Sequence, residues 1–543
     1  MSISTKHKWI YPGNQQDVVG SVVCTPDSPS FSKVAVRMEP DKMLRPGEIV
    51  EIIPPDGSTK HFGRVADAYE YNPHEQIESA TIRGVIGLSR NYSKEGESTR
   101  IYRMANLELL EEAFIDERGE VQLGSPATLP SAGSPVYAAS PESGVAVLGL
   151  AEDPNQGLYI GEVAGIRPMP IVLKLEALTR HTLIVGRTGS GKSYLRGVEA
   201  EEIHRLGLPQ INIDVADELV EATRELGGQN LEPGVDFTIR LSSLTESEVL
   251  ELIPGLTSNQ RELVGRAFLE LKRRQIEGRM VQVNNSESGK PINRWEPIEF
   301  DLDDLLEMIA TMAPSLEMKG ITEKQATART ASLRLNKVIG PGIDWATKIT
   351  PGNVLNIVCS RHTLTDLRMI TAAVARELQA LRRAKRILPF VFSVDEAHLV
   401  LPTEEDTACK QVLREMIRIG RHYGIAVMLV SQSPLDIDRK IIRQCNTNFI
   451  FALDKEQLDA LKGVFSDATD QMIDRLPKMA KGTCLLSGSL ETVRHATPIK
   501  IRERRTTHGG TAPDVLKEIR DAGWPQARGE AGRFGETVDT EAI

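Results

Sequence analysis

Short apolar stretches, separated by turn residues, dominate the first 170 residues of the chain. They fall at residues 18–24, 33–38, 47–53 and 61–66, and similar stretches return at 144–149 and 158–161. Many short strands at even spacing are typical of a small barrel. The pattern therefore predicts a small N-terminal β-barrel domain over residues 1–170.

From about residue 171 the apolar segments become longer and alternate between strand-like and helix-like periodicity. Helical periodicity dominates residues 243–345. We therefore predict an α/β domain over residues 171–505 with a helical insertion at about 243–345. The Gly-rich and polar residues 506–543 are predicted to form a C-terminal tail, with one possible helix at 513–522.

The composition limits the classes of protein to consider. The 543 residues are 40% hydrophobic, 26% charged and 5% aromatic, with a net charge of −10, so the surface as a whole does not favour nucleic acid. A local basic lumen in a ring remains compatible with that charge. We expect a cytoplasmic protein without a membrane span, because no apolar run reaches 18 residues and the N-terminus lacks an apolar signal region. The five scattered cysteines fit reduced thiols.

A glycine-rich segment reads GRTGSGKS at residues 186–193, after the apolar run 182–185 and before a helix-like segment. A strand that leads through a glycine loop into a helix is the setting of a phosphate-binding P-loop, although short glycine-rich turns also match by chance. Lys192 can reach the β- and γ-phosphates, and the Ser193 hydroxyl can bind Mg²⁺. We therefore predict ATP and Mg²⁺ as ligands, with ATP contacts from Gly186, Thr188, Gly189, Ser190, Gly191, Lys192, Ser193 and Tyr194.

A second motif follows a continuous apolar strand at residues 388–394, which ends in Asp395 and Glu396. This is the form of a Walker B motif, in which Asp395 positions Mg²⁺ and Glu396 polarises the attacking water. Carboxylate pairs after strands are common, so the prediction depends on the P-loop. With both motifs present, Lys192 and Glu396 are the main candidate catalytic residues.

Two further candidates lie on the next predicted helix and strand. The helix at 409–422 carries Arg418 and Arg421 in its last turns. These cations either complement the helix dipole or supply an arginine finger to a neighbouring subunit. The strand at 425–430 leads to Gln432, which either forms a turn or senses the γ-phosphate.

Three other nucleotide-binding classes fit the sequence less well. Residues 395–398 spell DEAH, but a superfamily-two helicase needs a second RecA-like domain, for which too few residues remain. An ABC ATPase needs an LSGGQ-type signature before the Walker B motif, and a GTPase needs an Asn-Lys-x-Asp motif. Neither pattern is present. A single RecA-like P-loop ATPase core with an insertion is the fold that remains.

Together these motifs resemble the HerA family of the FtsK–HerA ATPases over nearly the whole chain. Segments similar in sequence to those of the family lie at residues 19–20, 44–50, 177–181, 418–424, 431–434 and 443–447. The resemblance implies that Arg421 is a finger acting in trans, that Gln432 is the sensor and that Arg180 contacts nucleotide. It also implies that the N-terminal strands form the family's barrel.

One motif departs from the family pattern. The family usually has Asp-Pro-His-Gly-Glu-Tyr after the second core strand, where this chain has Asp214-Val-Ala-Asp217-Glu218-Leu219. Asp214 and Glu218 keep their positions, but Asp217 replaces the glycine. We therefore predict only a secondary role at the site for Asp214 and Glu218. The same secondary role is predicted for Arg418 on the helix at 409–422.

The resemblance also implies an assembly and partners. Family members form homohexameric rings that translocate double-stranded DNA, working with a NurA-type nuclease or with sirtuin-like or nuclease effectors that dock on the barrel. DNA end processing or anti-phage defence is the expected setting. A ring scaffold that uses ATP to control an effector enzyme, with little translocation, is the alternative.

Basic residues after the predicted strand at 425–430 are candidates for DNA contact. Arg439, Lys440 and Arg443 lie on the segment 435–443, whose apolar residues can pack inward. The simpler interpretation is a solvated helix face in which Asp436 and Asp438 balance the bases. The functional interpretation is a set of phosphate contacts in the lumen, repeated around a ring.

Overall fold

The computed structural model describes most of the chain. The described residues are 18–54, 57, 59–71, 102–118, 121–164, 169–284, 291–318, 320–461, 467–489 and 491–509. The predicted tail helix at 513–522 lies outside them.

Strands form two large sheets and one hairpin within the described residues. They are β1 (Val18–Val22), β2 (Val34–Met38), β3 (Ile49–Ile52), β4 (Thr59–Tyr71), β5 (Tyr102–Ile115), β6 (Val121–Gly124), β7 (Pro135–Ala138), β8 (Gly157–Val163), β9 (Pro170–Lys174), β10 (Thr182–Val185), β11 (Gln210–Asp214), β12 (Gln229–Leu231), β13 (Arg279–Asn284), β14 (Pro291–Glu296), β15 (Val354–Val358), β16 (Phe390–Val394), β17 (Ile425–Ser431), β18 (Thr447–Ile450), β19 (Thr483–Gly488) and β20 (Thr497–Ile501).

The α-helices of the described residues lie mostly beside the larger sheet or in the insertion. They are α1 (Pro141–Leu148), α2 (Leu175–Thr179), α3 (Lys192–Arg205), α4 (Val220–Glu225), α5 (Glu246–Leu252), α6 (Ser258–Glu277), α7 (Leu302–Met312), α8 (Ile321–Ala331), α9 (Trp345–Lys348), α10 (Leu364–Arg383), α11 (Ala408–Tyr423), α12 (Arg439–Ile442), α13 (Lys455–Leu461) and α14 (Asp470–Arg475).

The N-terminal strands close into a barrel. Six of them pair in the ring order β1-β2-β5-β4-β3-β7, which closes because β7 pairs with both β3 and β1, and β6 extends β5. Alternate side chains such as Val34, Val36 and Leu107 fill the interior with almost no exposure. Closure removes the free strand edges that an open sheet would present. The predicted small barrel is confirmed.

The larger sheet has the strand order β12-β15-β11-β16-β17-β10-β18-β19-β20-β8-β9. Its strands run parallel from β12 to β18 and antiparallel from β18 to β9. The central parallel strands are almost continuously apolar and buried on both faces, which is typical of a parallel sheet covered by helices. The predicted RecA-like P-loop core is confirmed.

Two predicted strands differ from the structure. Residues 144–149 lie in α1 and its end, because Ser140 caps the helix, Pro141 starts it and Gly149 ends it with φ 69°. Residues 158–161 form part of β8, which pairs with β20 of the larger sheet instead of the barrel. By sheet membership, the barrel therefore ends at β7, earlier than the predicted boundary at 170.

The insertion lies between β12 and β15 and is largely helical, with helices α5–α9 around one hairpin of β13 and β14. Capping boxes at Thr245, Thr257 and Asp301 begin three of these helices. Phe268 and Phe300 pack edge to face with ring centroids 5.5 Å apart. The insertion shares the main core cluster of the parallel sheet, so it packs as part of the same domain.

Candidate nucleotide site

The P-loop lies between β10 and α3 at the carboxyl edge of the parallel strands. Gly189 and Gly191 have φ of 76° and 122°, which an L side chain rarely adopts. The Lys192 side chain is buried, and its Nζ donates to the carbonyl of Arg187 at 3.3 Å across the loop. Burial lowers the pKa of Lys192, and the nearby carboxylates of Glu396, Glu218 and Asp395 oppose that shift.

The end of β11 supplies two carboxylates to the site. Asp214 is fully buried and accepts hydrogen bonds from the backbone N–H groups of Glu218 and Leu219, at 3.1 and 3.0 Å. These bonds close the turn that follows β11. The turn directs Glu218 to Ser193, whose hydroxyl donates to Glu218 Oε1. Asp214 therefore positions the turn, and Glu218 contacts the hydroxyl predicted to bind Mg²⁺.

The substitution of the family's glycine leaves a left-handed turn in place. Asp217 has φ 58°, the backbone conformation that glycine adopts freely. Asp is among the few residues with side chains that populate this region readily. Asp217 therefore preserves the turn that places Glu218 beside Ser193.

Asp395 is buried at the end of β16. Burial raises the pKa of Asp395 to about 7, with Arg196 opposing and the neighbouring acids Glu218, Asp214 and Glu396 adding to the rise. Arg196 Nη1 lies 3.3 Å from Asp395 Oδ2. Asp395 Oδ2 has this ion-pair contact but no hydrogen bond. The guanidinium of Arg196 is therefore the cation that faces this buried oxygen.

Gln432 connects the P-loop to the Walker B motif. Strand β17 lies between β10 and β16, so the residue that follows it falls between the two motifs. The Thr188 hydroxyl donates to Gln432 Oε1, and Gln432 Nε2 donates to Glu396 Oε1. The opposite oxygen of Glu396 lies 3.3 Å from His398 Nδ1. This chain of contacts places Gln432, the predicted γ-phosphate sensor, beside Glu396, the carboxylate predicted to polarise water.

Arg196 is a site residue that the sequence analysis missed. It lies one helical turn after Lys192 and is fully buried between Asp395 and Asp214, at 3.3 and 3.7 Å. The spacing of four residues places Lys192 and Arg196 on the same face of α3. A charged residue at that spacing, directly after a P-loop, is a pattern that could have identified it.

The residues at this edge fit a nucleotide with Mg²⁺. No group of three or more His, Cys, Asp or Glu side chains in the described part of the chain is arranged to hold a metal alone. Mg²⁺ is commonly held by one or two carboxylates together with substrate phosphates. Ser193 and Asp395 are the groups that would hold it here, with Lys192 on the phosphates.

Arg180 and Arg421 lie at the opposite edge of the sheet. Arg180 precedes β10 and Arg421 lies in the last turn of α11, before β17, so both are separated from the P-loop by the length of β10, about 13 Å. Both guanidinium groups contact Glu491, directly for Arg180 and at 3.8 Å for Arg421. Arg418 is exposed one turn earlier on α11. None of these arginines is near the P-loop of its own chain.

The basic residues predicted to contact DNA are exposed on and after α12. Arg439, Lys440 and Arg443 point to solvent, while Ile441 and Ile442 are buried. Asp438 does not balance these bases with a side-chain ion pair, because it pairs with Arg414 at 2.6 Å and Lys410 at 3.4 Å. Asp438 therefore does not neutralise these three bases in the way that the simpler interpretation expects.

A C-terminal strap, residues 502–509, crosses the flank of α3 and was also missed. Thr506 donates to Glu201, Arg504 N–H donates to the Tyr194 hydroxyl, and Arg504 Nη1 lies 3.5 Å from the Ser193 carbonyl. Gly197 makes room for this contact, since a Cβ there would lie 2.2 Å from Arg504 Cζ. The strap therefore anchors the first turns after the P-loop.

The fold and the site together define a P-loop ATPase with a RecA-like core. The P-loop, the end of the buried Walker B strand and Gln432, which follows the intervening strand, lie together at one edge of a parallel sheet. Within the described residues, no helix is both long and apolar enough to cross a membrane.

Comparisons with known proteins identify the group to which this ATPase is related. Residues 158–377 match the family model described as "Helicase HerA, central domain". The chain is similar to two proteins named "DNA double-strand break repair helicase HerA". The protein from Sulfurisphaera tokodaii is 23% identical over 470 residues, covering 84% of this chain and 88% of the relative. That from Sulfolobus acidocaldarius is 24% identical over 419 residues, covering 74% and 78%.

Among solved structures, VirB4 of Thermoanaerobacter pseudethanolicus has a TM-score of 0.48 at 15% identity, covering 66% of this chain and 98% of that chain. The family model and the sequence relatives carry the assignment. The chain is a relative of the HerA family of P-loop ATPases, which confirms the resemblance seen in its motifs.

Proposed function

We propose that the chain is the subunit of a homohexameric ring that hydrolyses ATP and uses the energy to translocate double-stranded DNA. The observation that carries this proposal is the separation of catalytic groups between the two edges of the central sheet. Lys192, Glu396 and Gln432 lie at one edge, and Arg421 lies at the other. A second subunit is needed to bring Arg421 to these phosphates.

At the P-loop edge, the chain would bind the phosphates through the loop backbone and Lys192, and Ser193 and Asp395 would hold Mg²⁺. When bound, Mg²⁺ supplies positive charge that stabilises the transferred phosphoryl group. Glu396 would take the role of polarising the attacking water. Gln432 would sense the γ-phosphate, because it already contacts both Thr188 in the P-loop and Glu396.

At the opposite edge, Arg421 would act on the nucleotide of a neighbouring subunit, and Arg180 would contact the same nucleotide. The Arg421 side chain is 55% exposed, so it can leave Glu491 without breaking buried structure. An arginine finger supplied in trans is worth about 10³–10⁵ in turnover. Hydrolysis would therefore depend on ring assembly.

DNA would pass through the lumen of the ring, with phosphates contacted by Arg439, Lys440 and Arg443. The relatives named as DNA double-strand break repair helicases support DNA as the substrate. A nuclease of the NurA type, or a sirtuin-like or nuclease effector, would dock on the barrel formed by β1–β7. DNA end processing or anti-phage defence is the proposed setting.

The alternative is a ring scaffold that uses ATP to control an effector enzyme. The net charge of −10 favours it, because a DNA motor benefits from a positive field around its substrate. Both functions need the same ATPase residues. Only the ligand that stimulates ATP turnover separates them.

The test compares the steady-state ATP turnover of the full chain with no addition, with long duplex DNA and with a purified effector enzyme. Stimulation by long duplex DNA, greater than by short duplexes of equal total length, supports the translocase. Stimulation by the effector alone supports the scaffold. Lys192→Ala is the control, since its turnover reports contaminating ATPase only.

A further inference from the structure

His181 lies between the strand that leads to the P-loop and the helix that carries Arg421. It follows Arg180 and precedes β10, with φ 61° and 4% of its surface exposed. Its backbone carbonyl accepts a hydrogen bond from the N–H of Thr447 at 3.2 Å, at the start of β18. The residue is therefore fixed within the central sheet.

The two ring nitrogens of His181 are both used. The backbone N–H of Val427, on β17, donates to Nδ1 at 3.1 Å, so Nδ1 is an acceptor and Nε2 carries the hydrogen. Nε2 then donates to the carbonyl of Ile417 at 2.7 Å. Burial lowers the pKa of His181 to about 4, so the neutral ring persists at neutral pH.

The carbonyl that receives this hydrogen bond belongs to the turn that holds Arg421. In an α-helix, the carbonyl of residue 417 accepts the N–H of residue 421. The ring of His181 therefore binds the backbone of the turn from which the Arg421 side chain projects.

Gly420 allows the ring to approach. A Cβ at this position would lie 3.3 Å from His181 Cε1 and 2.7 Å from the carbonyl of Ile425. A glycine inside a helix costs about 1 kcal/mol relative to alanine, so its presence here needs a compensating contact. Close packing of His181 and β17 against α11 is that contact.

We propose that His181 is a positioning residue for the arginine finger, fixing the last turn of α11 relative to the strand that leads to the P-loop. This proposal rests on the proposed role of Arg421 in trans. His181 acts in the subunit that donates Arg421, and not in the subunit whose P-loop binds the nucleotide. Each subunit thereby links its own P-loop strand to the arginine that it offers to its neighbour.

The test uses rings mixed from two inactive variants. A His181→Leu subunit should bind ATP like wild type but turn over about 10²-fold more slowly, because a displacement of about 1 Å at a catalytic group costs that much. Mixing it with Lys192→Ala subunits should restore turnover, because those subunits supply an intact Arg421. Mixing it with Arg421→Ala subunits should restore nothing, because neither subunit then donates a positioned arginine.

The opposite pattern would overturn the proposal. If His181 supports only its own P-loop, His181→Leu will be restored by Arg421→Ala subunits and not by Lys192→Ala subunits. Wild-type turnover of His181→Leu, or restoration by neither partner despite co-assembly, also overturns it. His422→Leu is the matched control, since His422 is exposed in the same turn of α11.

Two further variants keep the test valid if His181→Leu does not fold. Gly420→Ala disturbs the same contact from the helix side and should fall in the same complementation group. His181→Gln retains a donor and an acceptor and should keep more turnover than Gly420→Ala. If the mixture of Arg421→Ala and Lys192→Ala itself stays inactive, the proposed function fails, and this outcome is distinct from failure of the His181 assignment alone.

Discussion

The two edges of the central sheet differ in how far their charged side chains find partners within one chain. At the P-loop edge, Lys192, Arg196 and Asp395 are buried and each contacts a group of the same chain. At the opposite edge, Arg421 and Glu491 are more than half exposed and share one contact of 3.8 Å. Buried charges require partners, whereas an exposed pair contributes little to stability. The P-loop edge therefore pairs its charges within one chain, whereas the opposite edge leaves exposed charge, as the proposed contact with a neighbouring subunit requires.

The largest expected effects come from breaking the P-loop edge. Lys192→Ala should abolish ATP turnover and weaken nucleotide binding, because the β- and γ-phosphates lose their main cation. Glu396→Gln should retain ATP binding while turnover falls by about 10²–10⁴-fold, since only water activation is lost. Binding of a fluorescent ATP analogue and phosphate release check the two together. Wild-type turnover by Glu396→Gln would reject the Walker B assignment.

Removal of the arginine at the opposite edge should leave binding intact. Arg421→Ala is expected to lower turnover by about 10³-fold or more, with nucleotide affinity little changed. Mixing with Lys192→Ala subunits should restore part of the turnover. Arg418→Ala is the matched control, because Arg418 is also an exposed arginine near the end of α11. Equal loss in both variants would favour the helix-dipole role over the finger.

Removal of one charged side chain should lower the free energy of unfolding more at the P-loop edge than at the opposite edge. Arg196→Met leaves Asp395 and Asp214 buried without their cation and should lower the free energy of unfolding by about 3–5 kcal/mol. Arg421→Ala breaks only an exposed contact, worth about 0–1 kcal/mol. Denaturant unfolding of the two variants measures the difference. Similar stabilities would show that the P-loop edge relies on other contacts.

The buried His181 adds a pH dependence to stability. Its pKa is lowered from 6.5 to about 4 in the folded chain, chiefly by burial. As pH falls below about 6.5, the unfolded chain takes up the proton first, so this contribution is present above 6.5 and is lost towards pH 4. The expected loss is about 3 kcal/mol. Comparing unfolding of wild type and His181→Gln across this range tests it, and equal slopes would contradict it.

The sequence predicted the features that depend on local pattern. The P-loop at residues 186–193 and the strands before Asp395 and Gln432 combine apolar runs with specific residues, and the structure places them as expected. Residues 144–149 were predicted as a strand because their apolar content outweighed the helix caps at Ser140 and Gly149. The contacts of Arg196, His181 and Arg504 were missed, since each depends on residues far away in the sequence.

The smallest expected effect concerns the segment that joins the two edges, between β17 and β18. Its exposed Arg439 and Lys440 have no ion-pair contact from Asp438, which is held by Arg414 and Lys410. If the pair contacts DNA phosphates, Arg439→Ala with Lys440→Ala should weaken duplex binding equally across sequences. The slope of log affinity against log salt should fall by about 1–2, since each lost phosphate contact releases about one counterion fewer. Turnover without DNA should be unchanged.

Arg273→Ala with Arg274→Ala is the control, because it removes the same charge from exposed positions on α6. An equal change in slope in that variant would assign the effect to net charge. An unchanged slope in the first variant would remove this segment from the DNA path and favour the ring scaffold.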